Sequence, residues 1–125
     1  MASGPTALRL RRVYEPLHAR DGARVLVDRL WPRGLSRQDA ALTAHLPAVA
    51  PSATLRRWYG HDTARFDAFA QRYLNELTTD PDAATAVEKI IELAGHDRVT
   101  LLAATRDVDR SHARVLLDHI SEGCE

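Results

Sequence analysis

Residues 24–34 read Arg-Val-Leu-Val-Asp-Arg-Leu-Trp-Pro-Arg-Gly. Val25, Leu26 and Val27 form a short unbroken apolar run, the mark of a strand buried on both faces. Asp28 and Arg29 follow without a gap, then Leu30 and Trp31. Pro32 ends any ladder because it has no amide hydrogen. A buried strand that finishes in a carboxylate, a guanidinium and an indole puts binding groups at its carboxyl end, where open α/β sheets hold ligands. The plainer alternative is that Asp28 and Arg29 only pair with other charges to close the sheet end, since ion-pair networks collect there too.

Residues 99–104 (Val-Thr-Leu-Leu-Ala-Ala) have the same form and run into Thr105, Arg106 and Asp107. The segments between the two runs read as helices. Ser36 is placed to cap one through Ala44 to Leu46, stopped by Pro47. Pro51-Ser52 opens another over Leu55 to Tyr59, with Gly60 as its stop. Asp62 caps the clearest one, in which Phe66, Phe69, Tyr73 and Leu77 recur at threes and fours as a core stripe. Asp80-Pro81 starts the next, whose buried face carries Val87, Ile90 and Ala94, and Gly95 ends it. A last helix begins at Asp109 or Ser111 and puts His112, Val115, Leu116, His119 and Ile120 on one face. Two apolar strands separated by helices imply a parallel pair with a right-handed crossover.

Upstream, residues 8–14 alternate imperfectly, and Arg9, Arg11 and Arg12 suit a sheet edge. The connection at 15–23 holds Pro16 and an Asp21-Gly22 turn signal and is too short for a helical crossover. It fits either a wide hairpin or an irregular loop between parallel strands, and the turn signal favours the hairpin. The expected fold is a small single-domain α/β layer fold of about three strands, the central pair parallel, with four to five helices. The domain spans residues 8–121, between a loose tail at 1–7 and a short one at 122–125.

At 125 residues, 45% of them hydrophobic and 27% charged, the chain has the make-up of one ordinary globular domain. No apolar run approaches the roughly 18 residues of a membrane span, and the N-terminus lacks a signal-peptide core. Cys124 is the single cysteine, so an internal disulfide is impossible and a reducing cytoplasm is the expected setting. A formal net charge of zero speaks against non-specific nucleic-acid binding. Lys89 is the only lysine among 17 Lys and Arg, so a basic group lining a pocket would be a planar fork suited to carboxylate or phosphate.

On the parallel arrangement Asp28, Arg29, Arg33, Arg106, Asp107 and His112 converge at one sheet end. Carboxylates beside arginines keep their charge and orient the forks, and the apolar run leading straight into Asp28 predicts that it is largely buried and bonded to an arginine or to backbone amides. Histidine changes charge near neutral pH, which makes His112, with Asp28, the candidate for catalysis. Arg29, Trp31, Arg33, Arg106 and Asp107 are the candidates for ligand binding. The turn through Arg33, Gly34 and Ser36 offers further anion donors without any phosphate-loop spacing. His18, His45, His61, His96, His112 and His119 show no metal-ligand spacing, so neither a metal nor a cofactor is expected.

Residues 24–34 (RVLVDRLWPRG), 50–56 (APSATLR), Trp58, 60–62 (GHD) and 99–102 (VTLL) with Arg106-Asp107 together resemble the YeaO-like family of small bacterial proteins of unknown function. The similarity covers roughly residues 8–121. It implies a compact single-domain α/β protein whose activity is not established. Three positions depart from the family's usual residues: His45 for tryptophan, Ala103 for tyrosine and Ser111 for asparagine. If those groups lined the family's pocket, the pocket here is wider or differently wired.

The functional expectation is a protein that binds a small anionic or phosphorylated ligand at the strand ends, with catalysis left open. The alternative is a non-enzymatic regulatory module that binds nucleic acid or a protein through Arg56, Arg57, Trp58 and Tyr59, forks mixed with rings that can stack bases. A concave pocket around Asp28 would favour the first, and a flat basic-aromatic face the second.

Overall fold

The computed structural model describes residues 8–123. The tail at residues 1–7 and Cys124 lie outside the described residues. Four strands form one wholly parallel sheet in the order β1-β4-β2-β3: β1 (Leu8–Arg12), β2 (Ala23–Leu26), β3 (Ala44–His45) and β4 (Val99–Ala103). The helices are α1 (Arg37–Ala40), α2 (Ala53–Tyr59), α3 (Phe66–Thr79), α4 (Pro81–Ala94) and α5 (His112–Gly123). None of the described helices is long and apolar enough to cross a membrane.

Strand position follows composition. All five residues of β4 are buried, and it takes a partner on each side. The arginine-bearing β1 stays at the edge, as its charges require. Ala23 and Val25 of β2, with Val27 just after it, join the larger core, built with Phe69, Tyr73, Leu77, Val87 and Ile90 of α3 and α4 and Leu116 and Ile120 of α5. Leu26 and Leu102 point the other way, under a thinner cover that includes Trp31, Leu35 and Leu42. The phenylalanine stripe is core, as its spacing requires.

Two sequence expectations need correction. The hairpin between the first two strands does not form. They run parallel with β4 between them, through the loop at 13–22, because the fully buried β4 takes the slot between them. The helix expected to reach Leu46 ends at Ala40, where Ala41 turns left-handed at φ 50°. The chain then joins the sheet as β3, with the Thr43 amide bonded to the Arg24 carbonyl at 2.8 Å and Leu46 to Leu26 at 3.0 Å. Ser36 does cap α1, its hydroxyl accepting from the Asp39 amide. Ser52 and Asp80 likewise cap α2 and α4. Asp62 caps a single 3-10 turn that leads into α3. The last helix continues two residues past the boundary expected at 121.

The least foreseeable packing is Arg24, the largest fully buried side chain of the domain. Strand alternation turns it away from the α3, α4 and α5 face and toward the end of α1. Its Nη1 meets Asp21 at 2.7 Å, its Nε donates to the Ala40 carbonyl at 3.1 Å, and Nη2 donates to the Glu15 carbonyl at 3.3 Å. Between these two residues Gly22 adopts φ 62°, and a Cβ there would lie 2.1 Å from the Arg98 carbonyl oxygen. Ala23 starts its ladder on that same oxygen, at 2.7 Å. Gly22→Ala is therefore expected to cost about 1–3 kcal/mol in backbone strain alone. Urea unfolding would read it, and a variant with the parent midpoint would refute the account.

Candidate functional site

Because every strand runs the same way, four strand ends open onto one cleft of about 490 Å³. The chain leaving β1 supplies Tyr14, and the chain leaving β2 supplies Asp28 to Arg33. Ala50 and Pro51 follow β3, Ala104 and Thr105 follow β4, and α5 opens with His112.

At its floor Asp28 accepts from the Ala104 amide at 2.8 Å through Oδ2, while Oδ1 lies 3.2 Å from His112 Nε2. The same nitrogen lies 3.0 Å from the Val27 carbonyl. Both of its partners are acceptors, which assigns the hydrogen of the neutral ring to Nε2. Asp28 is half-buried, and it is bonded to a backbone amide and a histidine, not to an arginine. The His112 and Tyr73 rings lie nearly perpendicular, their centroids 6.0 Å apart. Burial, helped by the Glu76 and Asp28 charges, pushes the Tyr73 phenol above its ordinary pKa, and it donates to the Val49 carbonyl. Tyr59 is raised too, by burial and then by the Asp107 charge, and donates to the Arg110 carbonyl at 2.8 Å.

Three guanidinium groups border the cleft. Arg29 donates to the Pro51 carbonyl at 3.1 Å. Arg33 is exposed on the loop after β2, and Arg56 is exposed on α2. Among the described residues no three His, Cys, Asp or Glu side chains are grouped to hold a metal ion.

The profile of the inactive DUF488-N3 subclade matches residues 7–125, nearly the whole chain. The chain belongs to this subclade. Over 111 residues this DUF488-N3 protein is 48% identical to an uncharacterised protein of Mycobacterium tuberculosis, covering 89% of the chain and 91% of the relative. The same figures hold for an uncharacterised protein of Mycobacterium bovis. It is 33% identical over 111 residues to the uncharacterised Escherichia coli protein YeaO, covering 89% of the chain and 94% of the relative. The YeaO-like resemblance read from the DRLWPRG stretch is thus correct. No solved structure matches.

Of the residues singled out in this DUF488-N3 sequence, Asp28, Arg29, Trp31, Arg33 and His112 line the cleft. Arg106 and Asp107 are exposed and lie outside the lining, because the chain leaves the sheet through a turn at 108–110 before α5 starts. Ser111 lines the cleft, Ala103 is buried in the core instead, and His45 sits behind, its Nε2 2.8 Å from the Asp28 carbonyl. Sequence reasoning missed Tyr14, Leu30, His61 and Phe69 as lining groups. It assigned Arg56 and Tyr59 to a separate face, yet their i, i+3 spacing on α2 turns both into this cleft. Trp58 packs against the core, with Arg72 4.0 Å and Arg65 5.1 Å from its ring centroid. The four residues of the alternative reading do not share one flat surface.

Proposed function

We propose that the cleft binds a small anionic ligand, carrying phosphate or carboxylate, as a binding site first and a reaction centre only secondarily. The carrying observation is the charge balance. Arg29, Arg33 and Arg56 face a single carboxylate, Asp28, whose two oxygens are already held by Ala104 and His112. An anion thus meets planar forks without competing for them against bound carboxylates. The start of α5, a helix of 12 residues, adds its favourable dipole end beside His112. The description of the subclade as inactive supports binding over turnover. Zero formal charge weighs against a nucleic-acid partner, and the arginine and tyrosine of the alternative reading serve the cleft. A cytoplasmic setting, suggested by the lone Cys124, belongs to the same proposal.

Arg33→Ala is expected to weaken binding of inorganic phosphate or pyrophosphate by roughly 1.5–3 kcal/mol, about ten- to a hundredfold. Its melting temperature should stay near that of the parent, because the side chain is exposed. Calorimetric titration at fixed salt measures both proteins. Equal affinities would defeat the proposal.

A further inference from the structure

We infer that the ligand carries a planar ring beside its anionic group, and that Tyr14 is the residue selecting for that ring; this rests on the anion-binding reading above. Tyr14 is 40% exposed, yet three strand ends hold it still. Its hydroxyl donates to the Arg33 carbonyl at 2.8 Å, on the chain leaving β2. The Arg12 guanidinium, at the end of β1, lies 5.2 Å from its ring centroid. Arg12 is itself anchored beyond the end of β4, donating to the Thr105 and Ala104 carbonyls at 3.1 Å each.

A water-facing ring adds little to folding, and a site for a bare anion has no use for one. An immobilised ring, by contrast, offers a stacking surface whose ordering cost is met before the ligand arrives. Leu30, 69% exposed, adds a second apolar lip to the same cleft, and the stacked pair Tyr59 and Phe69 adds an aromatic wall. The hydroxyl bond to the Arg33 carbonyl ties the ring to the backbone from which an anion-binding fork extends. Nucleotides and small aryl phosphates both present this chemistry, a ring a few bonds from a charge.

The test titrates inorganic phosphate, phenyl phosphate, adenosine monophosphate and adenosine into the full chain and into Tyr14→Leu and Tyr14→Phe, each first checked for a cooperative melt. At least one ring-bearing phosphate should bind about tenfold or more tighter than inorganic phosphate. That ratio should collapse toward one in Tyr14→Leu and persist, though reduced, in Tyr14→Phe, which keeps the ring and its Arg12 contact but loses the hydroxyl bond. A gain for adenosine monophosphate alone identifies a nucleotide source, and a gain for phenyl phosphate alone a small aryl acid. Ring-bearing phosphates no tighter than phosphate, or a ratio that survives Tyr14→Leu, overturn the inference and leave the anion reading standing. Adenosine binding as tightly as its monophosphate overturns the anion reading and keeps the ring. Failure of every probe overturns both.

Discussion

Asp21→Ala is expected to cost roughly 3–5 kcal/mol, enough to bring a domain of this size close to unfolding. Asp21 is fully buried, and its carboxylate meets Arg24 at 2.7 Å, Arg11 at 2.8 Å and the His18 amide at 3.0 Å. Removing it leaves the Arg24 charge inside the protein with only carbonyl partners. Asp21→Asn should cost nearly as much, since shape survives and charge does not. Burial alone would raise the Asp21 pKa, but the His18 amide and the Arg11 and Arg24 forks outweigh it and bring the group from 3.8 down to about 2. A depressed folded pKa stabilises the protein above the unfolded value, and that contribution is lost as pH falls from about 4 to about 2. Urea midpoints collected through this window should therefore fall more steeply for the parent than for Asp21→Asn. A parent-like midpoint for either variant at neutral pH would refute the argument.

Phe69→Ala is the second large effect, at about 3–5 kcal/mol. The ring is 2% exposed and stacks at 4.4 Å on Tyr59 and 5.9 Å on Tyr73, each pair inclined by 19°. Both tyrosine hydroxyls are tied to carbonyls, so the neighbours have little freedom to close the hole. Phe69 also lines the cleft, and the variant should therefore bind the ring-bearing probes poorly even where it remains folded. Chemical denaturation with an unchanged m-value would assign the loss to the native state. A loss below about 1 kcal/mol would mean that the site collapses.

The parts of the fold that could be read in advance are those written in nearby residues. The runs at 25–27 and 99–104, the caps Ser52 and Asp80, the stop at Gly60 and the stripe from Phe66 to Leu77 each depend on spacings of a few positions. Partners far along the chain are not written that way. Thr100 donates its hydroxyl to the Asp21 carbonyl, and Arg12 reaches carbonyls more than 90 residues away. Asp21 carries the signature of a turn, which hides its use as the counter-ion of Arg24. Arg24 itself carries the signature of a strand's wet end, because arginine is rarely buried without a partner. The cleft divides along the same line. Asp28 to Arg33 were legible as the continuation of one strand, whereas Tyr14, Arg56 and Phe69 arrive from three other elements, and their meeting depends on the strand order.

That strand order also has a consequence in time. One of the two inner strands is synthesised last, so β1 waits for its neighbour 91 positions later, Leu8 opposite Val99, and β2, which has β3 close by, waits for its second partner, Ala23 opposite Val99. A nascent chain lacking β4 has two strand edges with nothing between them and no floor for its cleft. Early contacts are then local helices and the short β2–β3 ladder, and the sheet closes in one late, slow event dominated by long loops. Until that event the two edges are open to other chains, which makes newly made protein, and not the finished fold, the form most exposed to aggregation.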